Sequence, residues 1–268
     1  MSKKTREIKT ETEGIVAGGV VIEQPKVSEV VLEVTGTAPL IQHNFGQKGV
    51  EEMLRKHMGI SVQKEPKRPR EVIEQAKVKN TEGQICMPPV AFKKAMLTAS
   101  TQIKGLKKTQ LRTQLFIVGS SIPIQYRSET ARMDIVRLSG MTRVPDVRFR
   151  PSFHDWKARL AIQFTDPLQV QSVVDLLNRA GKVGIGEWRP DCDGTFGTFV
   201  VSRHIASAAE REEVHKQCSV PLVPLVVPQW ALDAEIDPEL LRKLFSESAT
   251  QSEENGLKED DQKTAETA

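Results

Sequence analysis

Between Asp166 and Val201 the chain changes periodicity, and this change restricts the fold more than any other feature. Leu168, Val170, Val173, Val174, Leu176 and Leu177 supply the apolar face of a helix, whereas Phe199-Val200-Val201 is a β-rich run. The join is GKVGIGEWRPDCDGTFGTF, with Gly184, Gly186, Gly194 and Gly197 spaced along it. Asp166 is placed to cap the helix, Pro167 to open it and Gly181 to stop it.

Glycine permits positive φ and close backbone approach, and successive N–H groups in such turns form anion-binding concavities. The same glycines also suit a tight connection that binds nothing. No Gly-Lys-Ser/Thr follows, and the glycines come after a helix rather than a strand, so neither a Walker loop nor a dinucleotide fingerprint is present. No nucleoside triphosphate, NAD or other cofactor is expected.

Upstream, Val27 to Val34 reads as a strand, Gly49 to His57 as a short helix and Lys64 to Arg70, with Pro66 and Pro69, as an extended loop. Pro88-Pro89 opens an amphipathic helix running to about Ile103. Strands are expected at 84–86, 115–118, 121–125, 146–150 and in the alternating Lys157 to Phe164. Strand, helix, strand, helix, several strands, helix, glycine-rich loop and strand make an α+β chain with antiparallel sheets.

The segments Gly184-Ile185-Gly186-Glu187-Trp188-Arg189-Pro190 and Gly194-Thr195-Phe196-Gly197-Thr198-Phe199 resemble the glycine-rich loop of the repeat-associated mysterious protein (RAMP) superfamily of CRISPR systems. With Arg68-Pro69-Arg70-Glu71, the first also resembles a pattern in bacteriophage and prophage proteins. The resemblance covers roughly residues 27–203. It implies one or two ferredoxin-like units with the loop after the last helix, RNA or single-stranded DNA as partner, and assembly side by side along the strand as a homo-oligomer. Some proteins of that superfamily are metal-independent endoribonucleases with a histidine base. Of His43, His57, His154, His204 and His215, the resemblance points to His43, just after the first strand.

Four regions follow: an arm over 1–26 with a short strand at 15–22, a core over 27–203, an extension over 204–245 and an acidic tail over 246–268. The extension holds a charged helix at 206–217, the apolar arm Pro221 to Pro228 and a short helix at 236–245. The tail carries seven acidic residues against two lysines, net −5, which leaves +8 on residues 1–245 of a chain whose total is +3. Its composition predicts disorder. A basic body suits a polyanion partner.

Arg127, Arg132, Arg137, Arg143, Arg148 and Arg150 fall in one window with Glu129, Asp134 and Asp146 its only acids. Arginine's planar fork matches phosphate, and Lys104, Lys107 and Lys108 form a second cluster. The residues expected to contact nucleic acid are Gly184, Gly186, Trp188, Arg189, Gly194, Phe196, Gly197, Arg143, Arg148 and Arg150. With aromatics at 5%, Trp188 and then Phe196 are the candidates for base stacking.

Cys86, Cys192 and Cys218 show neither a disulfide framework nor zinc spacing. Asp191 and Asp193 alone make an incomplete cation site, so no metal is expected. No apolar run approaches a membrane span, and the first residues lack a signal peptide's core, so a cytoplasmic protein is expected. The reading adopted is a non-catalytic nucleic-acid-binding protein. A His43-dependent endoribonuclease and a phage interaction or assembly protein are the alternatives.

Overall fold

The computed structural model describes residues 24–61, 66–137 and 144–236. The expected segments at 15–22 and 246–268, most of the expected helix at 236–245, and Arg143 lie outside them. In chain order the elements are β1 (Val27–Gly36), β2 (Leu40–Ile41), α1 (Gln47–His57), α2 (Pro69–Gln75), β3 (Cys86–Met87), α3 (Pro89–Ser100), α4 (Lys108–Gln114), β4 (Leu115–Ile117) and β5 (Ile122–Gln125). They continue with β6 (Ser128–Arg137), β7 (Pro145–His154), β8 (Lys157–Thr165), α5 (Val170–Val183), β9 (Phe199–His204), α6 (Ala208–Ser219) and α7 (Gln229–Ile236).

The main sheet runs β3-β5-β8-β1-β9, with β4 also on β8, and every pairing is antiparallel. The sequence β1, α3, β5, β8, α5, β9 with β1 and β8 central is one ferredoxin-like unit. Register decides which face is apolar: Val30 lies opposite Ile162, Leu32 opposite Leu160 and Val34 opposite Ala158. These residues and Phe164 form the buried core with Phe92, Met96 and Ala99 of α3 and Val173, Leu177 and Ala180 of α5. Trp156 is fully buried there, its Nε1–H donating to Ala38 O at 2.9 Å.

The opposite face of the sheet is charged and carries α6. Glu29 accepts hydrogen bonds from Gln163 and Arg211 and pairs with His215, while Glu33 pairs with Arg159 and Arg203. Burial raises the Glu29 carboxyl, but the hydrogen bonds from His215, Gln163 and Arg211 outweigh it and hold it below its ordinary value. This face has ion pairs where a stacking platform would need rings.

Between β5 and β8 the chain inserts a long hairpin, β6–β7, which with β2 forms a second sheet in the order β2-β7-β6. β7 is longer than the strand expected at 146–150, and β6 stands where the sequence reading places only an arginine window. The prolines at 66–69 do not keep the region extended: Pro69 occupies the first position of α2, where a missing N–H costs nothing. Asp166 and Pro167 do not start α5 either. Leu168 N–H closes a turn onto Thr165 O at 3.2 Å, burying Leu168, and the helix begins at Val170 after Gln169. Gly181 sits within α5 rather than ending it, because a Cβ there would fall 1.8 Å from Phe199 O of β9. The stop is Gly184, at φ 78°.

Of the apolar arm, Val223, Leu225, Val226 and Val227 are exposed. Gln47 fixes its backbone by donating to Val226 O at 2.7 Å and accepting from Val226 N–H at 3.2 Å.

Candidate nucleic-acid interface

The glycine-rich loop doubles back on itself and onto β2. Ile185 N–H donates to Gly197 O (3.0 Å), Glu187 N–H to Ile41 O (2.9 Å), Phe196 N–H to Trp188 O (2.9 Å) and Gly197 N–H to Pro39 O (2.8 Å). These amides, expected to face an anion, are spent on the loop's own shape. Gly194 is needed for that shape, since a Cβ there would lie 1.8 Å from Trp188 O. Trp188 holds a left-handed backbone at φ 53°, an outlier for a bulky residue that costs about 1 kcal/mol.

Arg189 is turned inward. It donates to Gly186 O at 3.0 Å and pairs with Asp191 at 3.3 Å, so its guanidinium holds the loop together. With Lys94, Thr98, Gly184 and Gly186 these two residues help line a cavity of about 100 Å³ between α3 and the loop.

The folded-back loop brings both Trp188 and Phe196 to Arg132 from β6, whose guanidinium carbon lies 5.9 Å and 4.7 Å from the two ring centroids. All three side chains are partly exposed. Arg132 is steered there by Asp134, which accepts from its Nε–H at 2.7 Å. The hairpin's register explains the meeting. Arg132 lies opposite Arg150 and Asp134 opposite Arg148, so one face of the hairpin is charged and turned toward the loop. The other face presents Met133, Ile135 and Val147 to solvent.

Arg150 is 1% exposed and acts within the molecule. It pairs with Asp134 at 3.2 Å and with Glu187 at 3.6 Å, and donates through Nε–H to His43 Nδ1 at 3.0 Å. The expectation that it reaches phosphate meets a side chain enclosed by its own partners. Arg148, half-buried beside Asp146 at 3.6 Å, keeps more freedom.

With Nδ1 accepting from Arg150, the neutral His43 ring carries its proton on Nε2. Burial, and then the adjacent Arg150, depress its pKa below the ordinary 6.5. In this arrangement the lone pair a general base needs is occupied. Because the unfolded chain takes up the proton first, the contribution of neutral His43 is present above pH 6.5 and is lost as pH falls below it. NMR titration of the ring is expected to give a midpoint below 6.5, and one above would contradict the contact.

Lys94, Lys104, Lys107, Lys108 and Arg112 are exposed on α3, α4 and the turn between them. The sequence signal is the absence of any Asp or Glu from Gly83 to Ser128. Cys86 and Cys218 are buried and Cys192 exposed, all three free; burial, with the charge of Cys86 adding, pushes the Cys218 thiol up to about 12. No group of three or more His, Cys, Asp or Glu side chains is placed to hold a metal ion among the described residues. No helix among them is long and apolar enough to cross a membrane.

No protein-family model matches the chain, and no curated protein matches it in sequence. A similar solved structure is a chain from the type III-B Cmr-beta complex bound to cognate target RNA, determined by cryo-electron microscopy. It is 8% identical, with a TM-score of 0.42 over 67% of this chain; the match spans 60% of the length of that chain. The α+β assignment stands on strand order and register within the chain itself.

Proposed function

We propose that this chain is a non-catalytic protein that binds single-stranded nucleic acid, RNA or DNA, on the surface where the β6–β7 hairpin meets the glycine-rich loop. The observation that carries this reading is the cluster in which Arg132 meets the Trp188 and Phe196 rings. Aromatic faces and a guanidinium are what unpaired bases stack on, independently of sequence. The strained backbone of Trp188 supports the reading, because strain persists where a side chain must be presented. Arg148 would meet phosphates, as would Arg143 outside the described residues. The core at 27–203 would carry the binding, with copies lying side by side on the strand, in the cytoplasm of a bacterial host if the gene is of phage origin.

The test is equilibrium binding of a labelled single-stranded oligonucleotide. Stacking is worth about 1–3 kcal/mol per base, so Trp188→Ala and Phe196→Ala are each expected to weaken binding by roughly 5- to 150-fold. Unchanged affinity in both folded variants would remove this surface from the account.

A further inference from the structure

The cations of α3 and α4 differ from most of those of the hairpin in their ion pairing, although Asp191 shares a cavity with Lys94. Arg132, Arg148 and Arg150 of the hairpin are held by Asp134, Asp146 and Glu187. By contrast, Lys94, Lys104, Lys107, Lys108 and Arg112 form no ion pair with a carboxylate among the described residues. Lys93 donates to Arg112 O at 3.0 Å and rests over Phe116 at 4.4 Å, which ties α3 to α4 and keeps the cationic surface in one piece. No Asp or Glu occurs between Glu82 and Glu129, so α3 and α4 themselves contribute no carboxylate to this face.

The missing charge is elsewhere in the chain. Residues 246–268 carry seven acids against two lysines and hold no aromatic, Val or Ile residue, so they have charge to offer and no core to join. Residues 237–260 can span about 80 Å when extended, at about 3.3 Å per residue, enough to reach any face of a domain this size. Tethering holds such a segment at roughly millimolar effective concentration. Attraction between a −5 segment and this cationic face then acts within the Debye length, about 10 Å at 0.1 M salt.

We propose that residues 246–268 dock on the cationic face of α3 and α4 and shield it, so that a nucleic acid must displace them to use that face. The displacement step rests on the nucleic-acid-binding reading, while the docking itself does not.

Two measurements on the full-length chain test this. Carbodiimide coupling followed by mass spectrometry is expected at low salt to join carboxylates of residues 246–268 to Lys94, Lys104, Lys107 and Lys108. The coupling should disappear at high salt. No coupling at low salt, or equal coupling to Lys26 and Lys157, overturns the proposal.

In the second, a variant with all seven carboxylates neutralised (Glu247→Gln, Asp260→Asn and their counterparts) is expected to bind a single-stranded oligonucleotide roughly tenfold more tightly at low salt, with affinities converging at high salt. Equal affinity at low salt overturns the shielding and leaves the nucleic-acid-binding reading standing. Absence of binding by either protein, with the coupling intact, overturns the nucleic-acid-binding reading and supports the docked segment.

Discussion

Arg150→Met is expected to lower the free energy of unfolding by about 3 kcal/mol, because it removes one partner from a buried charged cluster. Arg150 and Asp134 are both buried, at 1% and 6% exposure, and Arg150 also serves Glu187 and His43. Methionine has similar reach and leaves no void, so the loss reports on charge rather than on volume. Asp134 would keep Arg132, bound at 2.7 Å, which places the effect at the lower end of the 3–5 kcal/mol typical of such breaks. Changing Asp134→Leu in the same chain removes the stranded carboxylate and should recover part of the loss. Urea unfolding followed by tryptophan fluorescence measures it. A loss under about 1 kcal/mol would mean that the cluster is not desolvated as described.

Gly197→Ala is the second large effect, about 2–4 kcal/mol of destabilisation. One part is conformational: at φ 67° an L-residue costs about 1 kcal/mol. The other is steric, since the new Cβ would stand 1.8 Å from Ile185 O, and forcing such contacts apart costs about 1–3 kcal/mol. The displaced carbonyl belongs to the residue whose N–H donates to Gly197 O, so the change opens the base of the loop. Gly49→Ala in α1 is the matched control. Nothing lies within 4 Å of its Cβ, and helix propensity predicts a gain of about 0.5–1 kcal/mol. Similar losses at both positions would contradict the loop geometry.

Local chemistry made much of the fold readable in the sequence. Alternation over Lys157 to Phe164 matches β8, the β-branched run from Val27 matches β1, and Pro89 opens α3 as expected. β6 was harder, because Glu129, Arg132, Asp134 and Arg137 make the segment read as a solvated charged window. Its period of two is present, with Ala131, Met133 and Ile135 on one face. The usual inference from that pattern is inverted here: the charged face turns inward to the loop and the apolar face outward.

The site was legible in composition and not in arrangement. Trp188, Phe196 and the arginines stand out as residue types, but their meeting depends on contacts between distant segments. Arg150 and His43 are 107 positions apart, and no short-range pattern shows that an arginine is enclosed by its own partners. The same holds for the glycines, whose spacing suits an anion site and a folded-back loop alike. Hydrogen bonding decides between these, and it is satisfied within the chain at Ile185, Glu187, Phe196 and Gly197.

The most direct test of the central claim is fluorescence anisotropy of labelled single-stranded RNA and DNA, titrated with the purified chain at 50 and 200 mM salt, with the end points run on a denaturing gel. The account predicts binding that weakens steeply with salt, as phosphate contacts require, together with intact oligonucleotides. Absence of binding to both strands at the lower salt would contradict it, and shortened RNA would replace the binding protein with a nuclease.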